Sequence, residues 1–130
     1  MPGNYSVEIG SFAERHFIKS FQKKYKVNWD ITRKAIIAEL ERIDNLLLTD
    51  RAETICDAGN IKIIKTKFRV IGTKESAKTS GNRCIVAWDL DKQLVSVLLV
   101  YGKTDLKSPS ETAEWKRLIL DNYSEYECLS

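Results

Sequence analysis

The chain has 130 residues, 43% of them apolar and 30% charged, with a formal net charge of +3. That is the size and composition of a single domain, 1–130, able to bury one real core. It excludes a helical membrane protein, because no apolar run approaches the ~20 residues that cross a bilayer. Leu94 to Tyr101 is the longest such run, and Ser96 interrupts it. The opening residues Met1-Pro2-Gly3-Asn4-Tyr5 carry neither the basic start nor the apolar centre of an export signal, so a cytoplasmic protein with no membrane partner is expected. Cys56, Cys84 and Cys128 are odd in number and lack C-x-x-C spacing, and the one histidine, His16, is far from them. They read as free thiols, and no metal or cofactor is expected.

Tyr5, Val7 and Ile9 alternate with polar neighbours, which predicts a short strand. Ser11 then suits the cap of a helix beginning at Phe12, with Glu14 as its capping-box partner. Phe17, Phe21 and Tyr25 recur at four-residue spacing along that helix, while Lys19, Lys23, Lys24 and Lys26 make its basic side. Asn28 and Asp30 are candidate caps for a second helix, whose stripe of Ile36, Leu40, Ile43 and Leu47 runs to about Leu48. Two such helices with a short link read as an antiparallel helical hairpin.

From Thr54 the texture becomes β-like. Thr54 to Cys56 and Ile61 to Ile71 favour strands, Gly72 to Asn82 reads as a polar loop, and Arg83 to Asp89 alternates. Arg83, Ile85 and Ala87 share one face of that strand; Cys84, Val86 and Trp88 share the other. Asp89 to Gln93 reads as a hairpin connection, and the nearly continuous apolar run Leu94 to Tyr101 suits a central strand covered on both faces. Ser108-Pro109-Ser110-Glu111 marks the start of a last helix, with Trp115, Leu118 and Ile119 as its apolar stripe. The order is strand, helix, helix, three strands, helix. It predicts an α+β fold in which a small twisted antiparallel sheet is packed by an N-terminal helical hairpin and a C-terminal helix. Trp29, Trp88 and Trp115 are expected as core anchors.

Charge is concentrated. Between Asn60 and Arg83 the chain carries Lys62, Lys65, Lys67, Arg69, Lys74, Lys78 and Arg83 against one acid, Glu75, while the remainder is net negative. A folded strand and loop with that charge suit a phosphate-bearing partner. The same lysines also suit an exposed sheet edge. The short connection near Asp91 places Arg83 opposite positions 101 to 103 of the next strand, beside Tyr101 and Lys103.

Ser80-Gly81-Asn82-Arg83 at the head of a strand, Leu94 to Lys103 (LVSVLLVYGK), and the Ser-x-x-Glu start of the last helix together resemble the RelE/ParE superfamily of bacterial toxins. The likeness is closest to its RelE/HigB members, and the family order covers about Tyr5 to Tyr123. Asn82 stands where an aromatic residue is common, Thr104 where a basic one often follows, and no obvious counterpart of a late tyrosine follows Lys103. The resemblance implies the toxin of a toxin–antitoxin system: a metal-independent endoribonuclease that cleaves mRNA on the ribosome and inhibits translation. It also implies a cognate, DNA-binding antitoxin as partner. Arg83, Lys103 and Tyr101 are then the expected catalytic residues, and Lys65, Lys67, Arg69, Lys74 and Lys78 the expected RNA contacts. The alternatives are a ParE-like, non-enzymatic inhibitor of DNA gyrase and a non-toxic module that binds nucleic acid or an antitoxin. Tyr101 also reads as a core residue, and His16 as a helix-flank residue.

Overall fold

A computed structural model describes residues 5–74, 81–102 and 111–123. The architecture is α+β and follows the expected order of elements, with one strand more after the helices. The elements are β1 (Ser6–Ile9), α1 (Ser11–Ala13), a π-helical segment (Glu14–Ile18), α2 (Lys19–Tyr25), α3 (Val27–Leu40), α4 (Ile43–Leu46), β2 (Ala52–Asp57), β3 (Ile61–Phe68), β4 (Asn82–Asp89), β5 (Leu94–Tyr101) and α5 (Glu111–Asn122). The strands form one sheet in the order β1-β5-β4-β3-β2.

The sheet is antiparallel from β5 to β2, as the short β4–β5 and β2–β3 links favour, but β1 pairs with β5 in parallel. The expectation of a wholly antiparallel sheet is corrected at that edge. The helical crossover leaves β1 and delivers the chain to β2, at the far side of the sheet. β1 is then free to pair beside β5, and β5 becomes the interior strand its apolar run suggested.

The sheet separates two cores. On one face Ile64, Phe68, Val86, Trp88, Val95 and Val97 pack with Ile18, Phe21, Trp29 and Leu40 from the N-terminal helices. On the other, Ile63, Ile85, Leu99 and Tyr101 pack under α5 through Trp115, Ile119 and Tyr123. All three tryptophans are buried, as expected of core anchors.

Several helix ends differ from expectation. Ser11 is the first helical residue and Gly10 the cap, with no side-chain cap bond. A Cβ at Gly10 would lie 2.5 Å from the Tyr123 hydroxyl oxygen, so the close approach of α5 fixes a glycine there. Glu14 bonds Arg33 at 3.3 Å in place of closing a capping box. Asn28 and Asp30 lie inside α3, which starts after Lys26 at φ 54°. The second helix breaks at Glu41–Arg42; the freed Glu41 carbonyl accepts the Tyr5 N–H at 2.8 Å and ties the break to the start of β1. Ser108 to Ser110, the expected cap of the last helix, lie outside the described residues.

Candidate nucleic-acid interface

β3 alternates so that Lys62, Ile64, Thr66 and Phe68 face the N-terminal helices and Ile61, Ile63, Lys65 and Lys67 face the α5 side. In register, Lys67 stands opposite Arg83, and Arg83 stands opposite Tyr101. Partners in register share a face, so Lys67, Arg83 and Tyr101 form a row across three neighbouring strands, at the sheet end where β5 runs into Gly102. The pairing expected from the hairpin length is met at Tyr101.

A bulge sets this row. Val86 pairs with Val97 and Ile85 with Leu99, so Leu98 is the additional residue on β5. Without it Arg83 would meet Val100, which faces the other core. The bulge is held from α5: the Tyr123 hydroxyl donates to the Leu98 carbonyl at 2.9 Å and accepts the Ala13 N–H at 3.3 Å.

Lysine and arginine directly opposite one another repel, and an anion between them turns the repulsion into attraction. Lys67 and Arg83 are both half-buried, and Arg83 donates from Nη1 to the Asn82 carbonyl at 2.9 Å. Half-burial strengthens their field relative to fully hydrated cations. Tyr101 is 1% exposed and belongs to the core under α5.

The other expected contacts are dispersed. Lys65 lies one pair further along the same face and reaches Glu53 of β2 at 3.6 Å, its partner in register. Lys62, on the opposite face, lies 3.9 Å from Asp57 and over the Trp88 ring. Arg69 follows the end of β3, donates to the Thr73 carbonyl at 3.4 Å and lines a groove beside α3. Lys74 is exposed in the following loop. Lys78 and Lys103 lie outside the described residues. His16 is exposed in the π-helical segment, its ring 4.4 Å from that of Phe12, and takes no part in the row.

Two features escaped the sequence reading. Glu53 offsets part of the basic run, and the turn Asp57-Ala58-Gly59-Asn60 would have revealed the β2–β3 register that brings it to Lys65. Tyr123, which anchors the bulge, is spaced four residues after Ile119 and eight after Trp115, continuing the α5 stripe.

The row can bind a phosphate with a guanidinium and an ammonium and stabilise charge building on it. No protein-family model matches the chain, and no curated protein matches it in sequence. Among solved structures, the chain is similar to a chain of the archaeal RelE–RelB complex from Pyrococcus horikoshii OT3, with 11% identity and a TM-score of 0.46 over 78% of this chain and 98% of that one.

Proposed function

We propose that this protein is a RelE/HigB-like toxin of a toxin–antitoxin system that cleaves RNA without a metal. The observation that supports this most is the row of Lys67, Arg83 and Tyr101 across β3, β4 and β5. Such cleavage requires loss of the 2′-hydroxyl proton, stabilisation of a pentacovalent phosphorane and protonation of the leaving 5′-oxygen. In this reading Arg83 binds the phosphorane oxygens through its planar fork, and Lys103, two residues after Arg83's register partner, adds a second charge. Tyr101 is this reading's candidate for proton transfer, although its side chain is buried in the core under α5. Lys65, Lys67, Arg69, Lys74 and Lys78 hold the RNA backbone. The substrate is mRNA on the ribosome, and a cognate antitoxin that binds DNA holds the toxin inactive.

The test is primer extension on a reporter message after induction. Discrete cuts that disappear with Arg83→Ala support the reading; an intact message in arrested cells contradicts it.

One observation favours a second reading. Tyr101 is buried, so the row offers cations without an accessible proton carrier among the described residues. That suits a ParE-like inhibitor of DNA gyrase, or a non-toxic binding module, on the same scaffold. Failure of DNA synthesis before protein synthesis on induction selects the gyrase reading. Normal growth with binding retained selects the module.

A further inference from the structure

From Ser11 to Leu40 the chain contains neither glycine nor proline, and every residue but one is helical. The exception is Lys26, which turns α2 into α3 at a corner with φ 54° and ψ −121°. Glycine adopts that backbone freely; lysine does so only under strain. The corner also leaves hydrogen bonds unmade. No side chain caps the start of α3, whereas a continuous helix would give the N–H groups of Val27 and Asn28 the carbonyls of Lys23 and Lys24. The local sequence therefore favours one straight helix, and the corner is imposed by tertiary packing. Phe21 of α2 stacks on Trp29 of α3 with ring centroids 4.9 Å apart. Ala13, Ile18 and Phe21 are buried in the core on that sheet face. Straightening within one molecule would pull residues 5–25 away and expose all three. A second copy of the chain offers the same seat.

We propose that Lys26 is the hinge of a domain-swapped dimer. In it, residues 5–25 of each copy leave their own sheet, pair β1 with β5 of the other copy and pack in its core. Every contact of the arm is kept, and two strained corners are relieved. The arm is suited to exchange, because its strand β1 has four residues and lies at the edge of the sheet. Val27 and Ile31, 65% and 47% exposed in the closed chain, lie in the first turns past the hinge, where the two straightened helices cross and cover them. Lys23, Lys24 and Lys26 oppose the exchange. They flank the two-fold axis and meet their own counterparts, a repulsion that salt screens. The Arg83 row is supported in both forms, since the exchanged arm brings an equivalent Ala13 N–H to the Tyr123 hydroxyl. Exchange is therefore independent of RNA cleavage.

The test is to refold the full chain from denaturant at high protein concentration, in low and in high salt, and follow its mass by sedimentation velocity. Wild type should yield a dimer that is more abundant in high salt. Lys26→Gly accepts the corner without strain and should lower the dimerisation constant about tenfold or more. Lys26→Ala loses the same charge but keeps the strain, and should raise it. Circular dichroism melts establish that each variant is folded. Glu14 and Arg33 separate exchange from a surface dimer, because they pair at 3.3 Å from opposite sides of the hinge. Glu14→Arg and Arg33→Glu each set like charges together, whereas a swapped heterodimer of the two variants has opposite charges at both pairs. Refolded together, the two should give heterodimer in excess of random mixing, read by native mass spectrometry. A wild type that stays monomeric in high salt overturns the proposal. So does a dimer unmoved by Lys26→Gly or weakened as much by Lys26→Ala, and so does random mixing of the two charge variants.

Discussion

Arg83 meets Tyr101 across β4 and β5 because Leu98 bulges from β5. The bulge carbonyl is in turn held by Tyr123 at the end of α5. The candidate site therefore rests on a contact between strands adjacent in sequence and on one that arrives from the last helix. This chain of dependence, from Tyr123 to Leu98 to Arg83, makes the account open to mutation at points well apart in sequence.

Lys67→Ala should weaken binding to RNA of any sequence and lower the slope of log affinity against log salt by about one, since one phosphate contact is lost. Fluorescence anisotropy with unrelated single-stranded RNAs at several salt concentrations measures both. A loss confined to one sequence would assign Lys67 to base reading instead.

Tyr123→Phe removes one hydroxyl and leaves the Ala13 N–H and the Leu98 carbonyl to find other partners. It should cost about 1–3 kcal/mol in urea unfolding and speed amide exchange around Leu98. Gly10→Ala puts a methyl against the same hydroxyl, 2.5 Å away, and against the Val97 carbonyl, 2.9 Å away. It should destabilise by about 1–3 kcal/mol through overpacking. Wild-type stability in both variants would mean that α5 does not anchor the bulge.

Thr32 is buried in α3, donates to the Asn28 carbonyl at 2.7 Å and accepts the Ile71 N–H at 2.8 Å. Thr32→Val keeps the shape and strands that N–H, at about 1–3 kcal/mol, whereas Thr32→Ser should retain most of the stability. Equal midpoints for the two variants in a denaturant titration would contradict the assignment.

Burial pushes the Cys84 thiol up to about 12 from 9.0, against the opposing effect of its hydrogen bond with Thr66. The folded state thus holds this proton more tightly than the unfolded chain. The stabilisation is complete below about pH 9 and is lost as pH rises toward 12, on the order of 4 kcal/mol in all. Cys84→Ala should flatten the alkaline limb of a stability–pH curve. In the native protein at pH 8, iodoacetamide should leave Cys84 unmodified until denaturant is added, which peptide mass mapping reads directly.

The β4–β5 pair was legible because its cues are local: clean alternation in Arg83 to Asp89, an apolar run in Leu94 to Tyr101, and few residues between. The face of Arg83 followed from alternation alone. β2 was visible only in part, since Ala52 and Glu53 carry little strand signal and Ile55 sits at a register shift. β1 was legible as a strand from the alternation of Tyr5, Val7 and Ile9, but its parallel pairing was not, because its partner lies some ninety residues away and nothing near Val7 specifies it. The break after Leu40 was hidden for a similar reason: Ile43 and Leu47 continue the stripe of Ile36 and Leu40, and the carbonyl freed at Glu41 finds its donor in Tyr5. At the candidate site, the pairing of Arg83 with Tyr101 could be read from hairpin length, but that of Lys67 with Arg83 could not, because a long connection separates β3 from β4. The partial neutralisation of Lys65 by Glu53 could not, since it depends on the β2 register.

The most direct test of the central claim is inducible expression of wild type and Arg83→Ala in a bacterial host without a partner gene, with pulse labelling of protein and DNA synthesis. The account predicts that wild type stops protein synthesis first and that Arg83→Ala, expressed to the same level, lets growth continue. Arrest undiminished by Arg83→Ala, or DNA synthesis failing before protein synthesis, would contradict it.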